Sequence, residues 1–223
     1  RNTNFAISSI SECLGTDVGF NGVFDGKGYT INNYKPVGFG SFITFLTSNG
    51  ILKNIGFNNA ILDTSLIQPG ETDPVGVLVA NGESKNGTNV NNVFVNYKSI
   101  ITKLGTYKDK YCSTFSGVGG TISASSVFID ATKANIDGDF DILGKMSCDG
   151  VYSIGGTHIN NDAAFAPNPV VSSRIFYSTG TFQCFKTASE MQGHLETQSV
   201  ISNWDRSYWT NLEDGIPVWI TAK

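Results

Sequence analysis

The chain has 223 residues and a net charge of −4, and charged residues make up only 15% of it, well below the roughly 25% of ordinary globular domains. Its 36 isoleucines and valines stand against 10 leucines, an excess of β-branched side chains that excludes a helical bundle and argues for strands. The sequence holds no basic cluster fit to grip duplex phosphates and no apolar run near the roughly 18 residues of a membrane helix, so neither nucleic acid nor membrane insertion is expected.

The chain opens at Arg1 in a polar stretch, read here as the start of a mature or excised fragment preceded by a stalk or anchor. Ser8 to Leu14 is expected to form a short N-terminal cap. Short apolar strands then recur, each an Ile or Val beside an aromatic residue. Taking Ile7, Ile31, Ile55, Val93, Val127, Val151 and Ile175 as anchors, the spacings are 24, 24, 38, 34, 24 and 24 residues. A period near 24 is too short for a propeller blade of about 40 residues. It suits one coil of a parallel β-solenoid built from about three short strands and three turns. Between the strands lie Asn21-Gly22, Asn32-Asn33, Asn49-Gly50, Asn58-Asn59 and Asn91-Asn92. Asparagine tolerates the left-handed backbone conformation, and stacked asparagine amides can bond to one another as ladders.

The two long spacings exceed the period by 14 and 10 residues. The extra length is placed in Asp63 to Pro74 or Asn81 to Thr88, and in Thr102 to Phe115, as insertions on one side of a rod. Insertions on one face of a repeat protein are often where binding happens. Four cysteines, Cys13, Cys112, Cys148 and Cys184, allow two disulfides by count. They differ in phase or lie several coils apart, beyond the ~7 Å that a disulfide spans, so buried thiols are expected. His158 and His194 have no ligand-like spacing; no metal and no cofactor is expected.

The tail changes character. Lys186-Thr187-Ala188-Ser189-Glu190-Met191 reads as a helix start, with Thr187 as N-cap and Glu190 three residues on. All three tryptophans follow, at 204, 209 and 219. They are read as an aromatic plug over the last coil or, alternatively, as a stacking platform for sugar rings.

The segment Phe20-Asn21-Gly22-Val23-Phe24-Asp25-Gly26-Lys27-Gly28-Tyr29-Thr30-Ile31 resembles a signature of right-handed parallel β-helix proteins. Gly50-Ile51-Leu52-Lys53-Asn54-Ile55-Gly56-Phe57 looks like their following coil. The tail from Phe185-Lys186-Thr187 through Trp204-Asp205 and Trp209 to Gly215-Ile216-Pro217-Val218-Trp219 is similar to their closing segment. The family is the pectate-lyase-like superfamily in its surface-protein form, which includes GLUG-type repeats. The resemblance covers residues 5 to 60 and the tail; between 75 and 180 only period and strand character persist. It implies an all-β chain folded as a right-handed parallel β-helix (solenoid) of about seven coils over residues 1–185, with a C-terminal capping segment over 186–223 in the same domain. Such proteins are mostly bacterial adhesins and phage tail-fibre or tailspike domains, and some relatives are polysaccharide lyases or hydrolases. The matched residues are turn and core residues, so no catalytic residue carries over. Asp25 falls in the matched turn and is read as a carboxylate accepting backbone N–H bonds.

The function expected is non-enzymatic: a receptor-binding or adhesion domain recognising a host-surface glycan or outer-surface protein, located on a virion tail or a cell surface. Upstream it is expected to join a stalk or anchor, and homotrimer and monomer stay open. The ligand-binding residues expected are Tyr97, Tyr107, Lys108, Lys110 and Tyr111, because phenol rings stack on sugars and amines meet anionic groups. The alternative is a tailspike-type depolymerase or lyase. It would need two converging carboxylates, for which Asp130, Asp137, Asp141 and Asp149 are the candidates. A plain spacer rod is a third reading.

Overall fold

The computed structural model describes residues 19–36, 41–63, 75–82, 89–101, 112–115, 122–137, 140–144, 146–156 and 178–221. Twelve strands come first: β1 (Val23–Asp25), β2 (Thr30–Asn32), β3 (Ile43–Leu46), β4 (Ile51–Asp63), β5 (Val75–Gly82), β6 (Val90–Ile101), β7 (Cys112–Phe115), β8 (Ile122–Asp130), β9 (Asn135–Asp137), β10 (Asp141–Gly144), β11 (Met146–Ile154) and β12 (Ser178–Phe185). Two short helices, α1 (Ala188–Gln192) and α2 (Leu195–Ile201), and two strands, β13 (Trp209–Thr210) and β14 (Val218–Trp219), follow among the described residues.

The described residues are mostly β, and their first twelve strands lie in parallel sheets, consistent with an all-β protein. One sheet has eight strands, in the order β1-β4-β6-β8-β11-β12 with β2 also beside β4 and β9 beside β6; the other has four, in the order β10-β7-β5-β3. From β3 to β8 the chain alternates between the two sheets, and in each sheet successive strands are neighbours. Hairpins cannot give this pattern, because parallel neighbours need a crossover.

Backbone conformation explains how long strands keep one face buried. Asn54 and Asn59 have φ of 55° and 54° and divide β4 into three pieces. In an unbroken strand, side chains three apart point to opposite faces. Here Leu52 and Ile55 are both buried, as are Phe57 and Ala60, because a left-handed asparagine between them resets the alternation. The same device recurs one strand after another: Asn54, Asn92, Ser126 and Gly150 all have positive φ, and the next residues, Ile55, Val93, Val127 and Val151, stand opposite one another in register. All four are buried in the core between the sheets.

The predicted anchors need two corrections. Ile31 pairs with Phe57, not with the Ile55 level, because the turn after Asp25 lengthens the first pass: Asp25 faces Lys53, and the next paired residue, Thr30, faces Gly56. At the other end Phe182 stands opposite Val151, where Ile175 was expected; Ile175 and Ile7 lie outside the described residues, as does the expected cap from Ser8 to Leu14. The long spacings also hold more than insertions, since β5 and β7 of the four-stranded sheet fall within them. Cys148 is buried and Cys184 half-buried, and neither is in a disulfide.

The expected asparagine ladders are present. Asn54 Nδ2 donates to Asp25 Oδ1 at 3.0 Å, and Asn92 Nδ2 donates to Asn54 Oδ1 at 3.2 Å. A second rung joins Asn58 Nδ2 to Asn32 Oδ1 at 3.0 Å. Asp25 also accepts from the backbone N–H of Lys27 at 2.9 Å, the turn role expected for it.

The helix start is where the sequence places it. Thr187 is the N-cap of α1 and accepts from the N–H of Glu190, whose carboxylate accepts from the N–H of Lys186 at 2.8 Å. The route of the tail differs from a plug over the last strand. Trp204 stacks on Tyr152 of β11, Trp209 meets Phe94 of β6 edge-on, and Thr221 bonds to Thr30 of β2. The tail is thus a strap laid across the outer face of the eight-stranded sheet. The cause lies in the alternation. Directly after the buried anchors come Gly56, Phe94, Phe128 and Tyr152, which face outward in one transverse row. Three adjacent aromatic rings on an open face would leave a large apolar area in water. The tryptophans cover them in a second apolar cluster, separate from the inter-sheet core.

Candidate functional site

Two glycines shape the sheet to receive the strap. A methyl group on Gly56 would come within 2.7 Å of the Trp219 indole nitrogen. Gly150 has φ of 75°, and a methyl group there would meet Val200 at 3.0 Å and Trp204 at 3.3 Å. Trp209 lies between, its ring centroid 4.8 Å from that of Trp204 and 5.0 Å from that of Trp219. Its Nε1 donates to Asn92 Oδ1 at 3.3 Å, so the ladder from Asp25 through Asn54 and Asn92 ends on the strap.

Below Trp219 the strap stands away from the sheet and leaves a cleft of about 370 Å³, within the range of small-molecule sites. Its floor is Thr30, Asn32, Asn58, Phe94, Phe128 and Asp130, and its other wall is the segment from Ile216 to Trp219 with Thr221. The floor residues are set by register. Asn32 stands opposite Asn58 and Asn96 opposite Asp130, one polar row beside the aromatic row.

Several polar groups of this cleft are committed and several are not. Asp130 Oδ1 accepts from the backbone N–H and the hydroxyl of Thr132, at 2.9 and 2.6 Å, which fixes the carboxylate. Its Oδ2 has no partner among the described residues. The Asn58–Asn32 bond leaves the Asn32 side-chain N–H and the Asn58 Oδ1 unused among those residues. Outside the cleft, the Trp219 indole N–H lies over Gly56, buried and without an acceptor among the described residues, a state that costs about 1–3 kcal/mol.

Phenols around the strap are held protonated. Burial pushes Tyr152 up to about 12; a hydrogen bond with Thr197 offsets part of this, and the charges of Asp149 and Glu196 add to it. Tyr208 stacks on Trp219 at 5.9 Å, and burial followed by the charges of Asp25 and Asp205 raises its pKa.

Of the sequence-predicted ligand residues, Tyr97 is among the described ones and does not line the cleft. Tyr97 is a correction: it is fully buried, its hydroxyl 2.8 Å from that of Thr114 in the interior, with its ring edge-on to Phe140. The reset at Asn92 turns Val93, Val95 and Tyr97 inward together, so Tyr97 is a core residue, and burial raises its pKa. Tyr107, Lys108, Lys110 and Tyr111 lie outside the described residues. Of the carboxylates, Asp130 lines the cleft. Asp137 ends β9 in the eight-stranded sheet and Asp141 begins β10 in the four-stranded one, so they do not share a face. Asp149 stands in another row, opposite Ser125 and Thr181. Asn32, Asn58, Phe94 and Phe128 were missed as site residues, although the anchor-plus-aromatic pattern already contained Phe94 and Phe128.

Among the described residues no group of three metal-ligating side chains is found, and no helix is long and apolar enough to cross a membrane. Comparisons with protein-family models, with curated proteins and with solved structures give no match.

Proposed function

We propose that the two parallel sheets are faces of a right-handed β-helix solenoid, and that the domain is a non-enzymatic adhesion module binding a surface glycan. The alternation of the chain between the sheets, the columns of left-handed residues and the asparagine ladders support the solenoid. An experimental structure with left-handed or non-coiling crossovers would overturn it. The role proposed is that of a receptor-binding domain of a phage tail fibre or of a bacterial adhesin, as in the surface proteins the sequence resembles.

One observation carries the binding reading: a cleft on a rigid sheet, lined by aromatic rings, amides, hydroxyls and one carboxylate. Aromatic faces cover the C–H faces of a sugar, while fixed amides and carboxylates read its hydroxyls. Hydrolysis by paired carboxylates needs a second acid within about 10 Å, and among the described residues Asp130 alone lines the cleft. Weak single sites of this kind act through multivalent display.

The test is a glycan array with whole-cell binding, followed by reducing-end detection on any polysaccharide bound. Binding without new reducing ends, reduced at least about tenfold by Asn58→Ala through the loss of a positioned amide, is the expected result. New reducing ends that vanish in Asp130→Asn would replace adhesion by depolymerisation.

A further inference from the structure

The charge of the cleft narrows its ligand. We propose that it selects an uncharged saccharide unit and discriminates against uronate, sialyl and sulfated ones, with Asp130 as the specificity-determining residue. This rests on the glycan reading above and adds the chemical class.

The cleft residues carry one formal charge among them, the Asp130 carboxylate; no lysine, arginine or histidine is among the described lining residues. Thr132 holds the carboxylate through Oδ1, so it cannot easily swing away from a ligand. Its other oxygen is an acceptor, and a sugar hydroxyl is the donor that suits it. An anionic sugar brings like charge to this wall, and no cation is among the described lining residues to offset it. The other unused groups fit a neutral polyol too. The Asn32 side-chain N–H and the Asn58 Oδ1 are a donor and an acceptor left unused among the described residues. Trp219 is 8% exposed and forms part of the wall. Phe94 and Pro217 supply apolar surface to stack against, and Phe128 lies nearly covered beside them. A volume of about 370 Å³ lies near the lower end of small-molecule sites, as expected for a terminal mono- or disaccharide unit rather than a long internal stretch.

The experiment uses the full chain on an array that prints each glycan core in neutral, sialylated, sulfated and uronate-bearing forms, at low and near-physiological salt. The neutral form of the preferred core is expected to bind at least about tenfold tighter than its acidic forms, with a preference that weakens as salt rises. Asp130→Asn, which keeps shape and the Thr132 contacts, should shrink that preference to within about threefold. Asp130→Lys should reverse it. Equal or tighter binding of acidic forms by the unmodified protein, lost in Asn58→Ala, overturns the selectivity and leaves the glycan reading standing. Absence of glycan binding, or binding that Asn58→Ala does not change, overturns both. Circular dichroism of each variant separates loss of binding from loss of fold.

Discussion

The two-sheet region and the strap solve the problem of burying apolar surface in opposite ways. In the sheets the backbone does the organising: parallel ladders set the register, and a left-handed residue before each anchor keeps Ile55, Val93, Val127 and Val151 on the inner side. Those four anchor side chains are β-branched. The strap has little ladder of its own, a two-residue antiparallel pair between β13 and β14. It is ordered by large rings, capped helix ends and single hydrogen bonds to the sheet. A repeating backbone tolerates varied side chains, whereas a unique segment depends on a few large ones.

That contrast predicts where substitution hurts most. Trp209→Ala removes the ring that links Trp204, Trp219 and Phe94 and orphans Asn92 Oδ1. It should cost about 3–5 kcal/mol in denaturant unfolding. If the two regions are energetically separate, the near-ultraviolet tryptophan signal should melt before the far-ultraviolet strand signal in this variant. Coincident transitions would show that the strap and sheets unfold together. Trp209→Phe keeps bulk and should cost less, about 1–3 kcal/mol, for the lost N–H donor.

Asn92 lies where the two regions meet. Asn92→Ala unpairs both Trp209 and Asn54 and forces alanine into a φ of 50°. Asn92→Gly removes the same bonds without that strain, and so should be the milder change by about 1 kcal/mol. Equal losses would mean that the ladder, not the backbone conformation, dominates at this position.

The smallest effect expected is an acid limb traceable to Asp25. Burial alone would raise its pKa, but hydrogen bonds from Asn54 and the Lys27 N–H, with the Lys53 ammonium 3.6 Å away, outweigh it and hold the carboxyl below its ordinary value. A carboxyl depressed in the folded state contributes stability above its unfolded pKa of about 3.9, and that contribution disappears as pH falls through the folded value. Midpoints measured from neutral pH down to about 2 should fall less steeply in Asp25→Asn below about pH 4. An unchanged acid slope would locate the acid sensitivity elsewhere.

Much of the architecture was readable in the sequence because a repeat prints its geometry many times. The anchors Ile55, Val93, Val127 and Val151 and the Thr187 cap fall where pattern and capping chemistry put them, whereas Asn58-Asn59 and Asn91-Asn92, expected between strands, lie inside β4 and β6. The failures have physical causes. Ile31 was assigned one level off because the extra residues in the Asp25 turn shift pairing without disturbing the apolar pattern. Tyr97 suits a sugar by its chemistry, but alternation from the buried anchor Val93 turns it inward with Val95. The cleft was missed because its floor and wall are about 190 residues apart at the Thr30–Thr221 bond, and nothing local announces that meeting. Strict alternation would have made one part of it visible. An aromatic residue following a buried anchor must face outward, so Phe94, Phe128 and Tyr152 called for a cover, and the tryptophans supply it.

The strap also bears on how the molecule comes apart. Parallel strands that touch only their immediate neighbours can fray from either end, one pass at a time, at a cost set by each local contact. The strap spans β11, β6, β4 and β2 at once. Peeling any one of these strands therefore loosens its hold on the others. A tie of this kind makes their opening cooperative, the outcome that coincident transitions in Trp209→Ala would show. Because the tying segment is the last part of the described chain, newly made sheets must wait for it before that cooperativity is established.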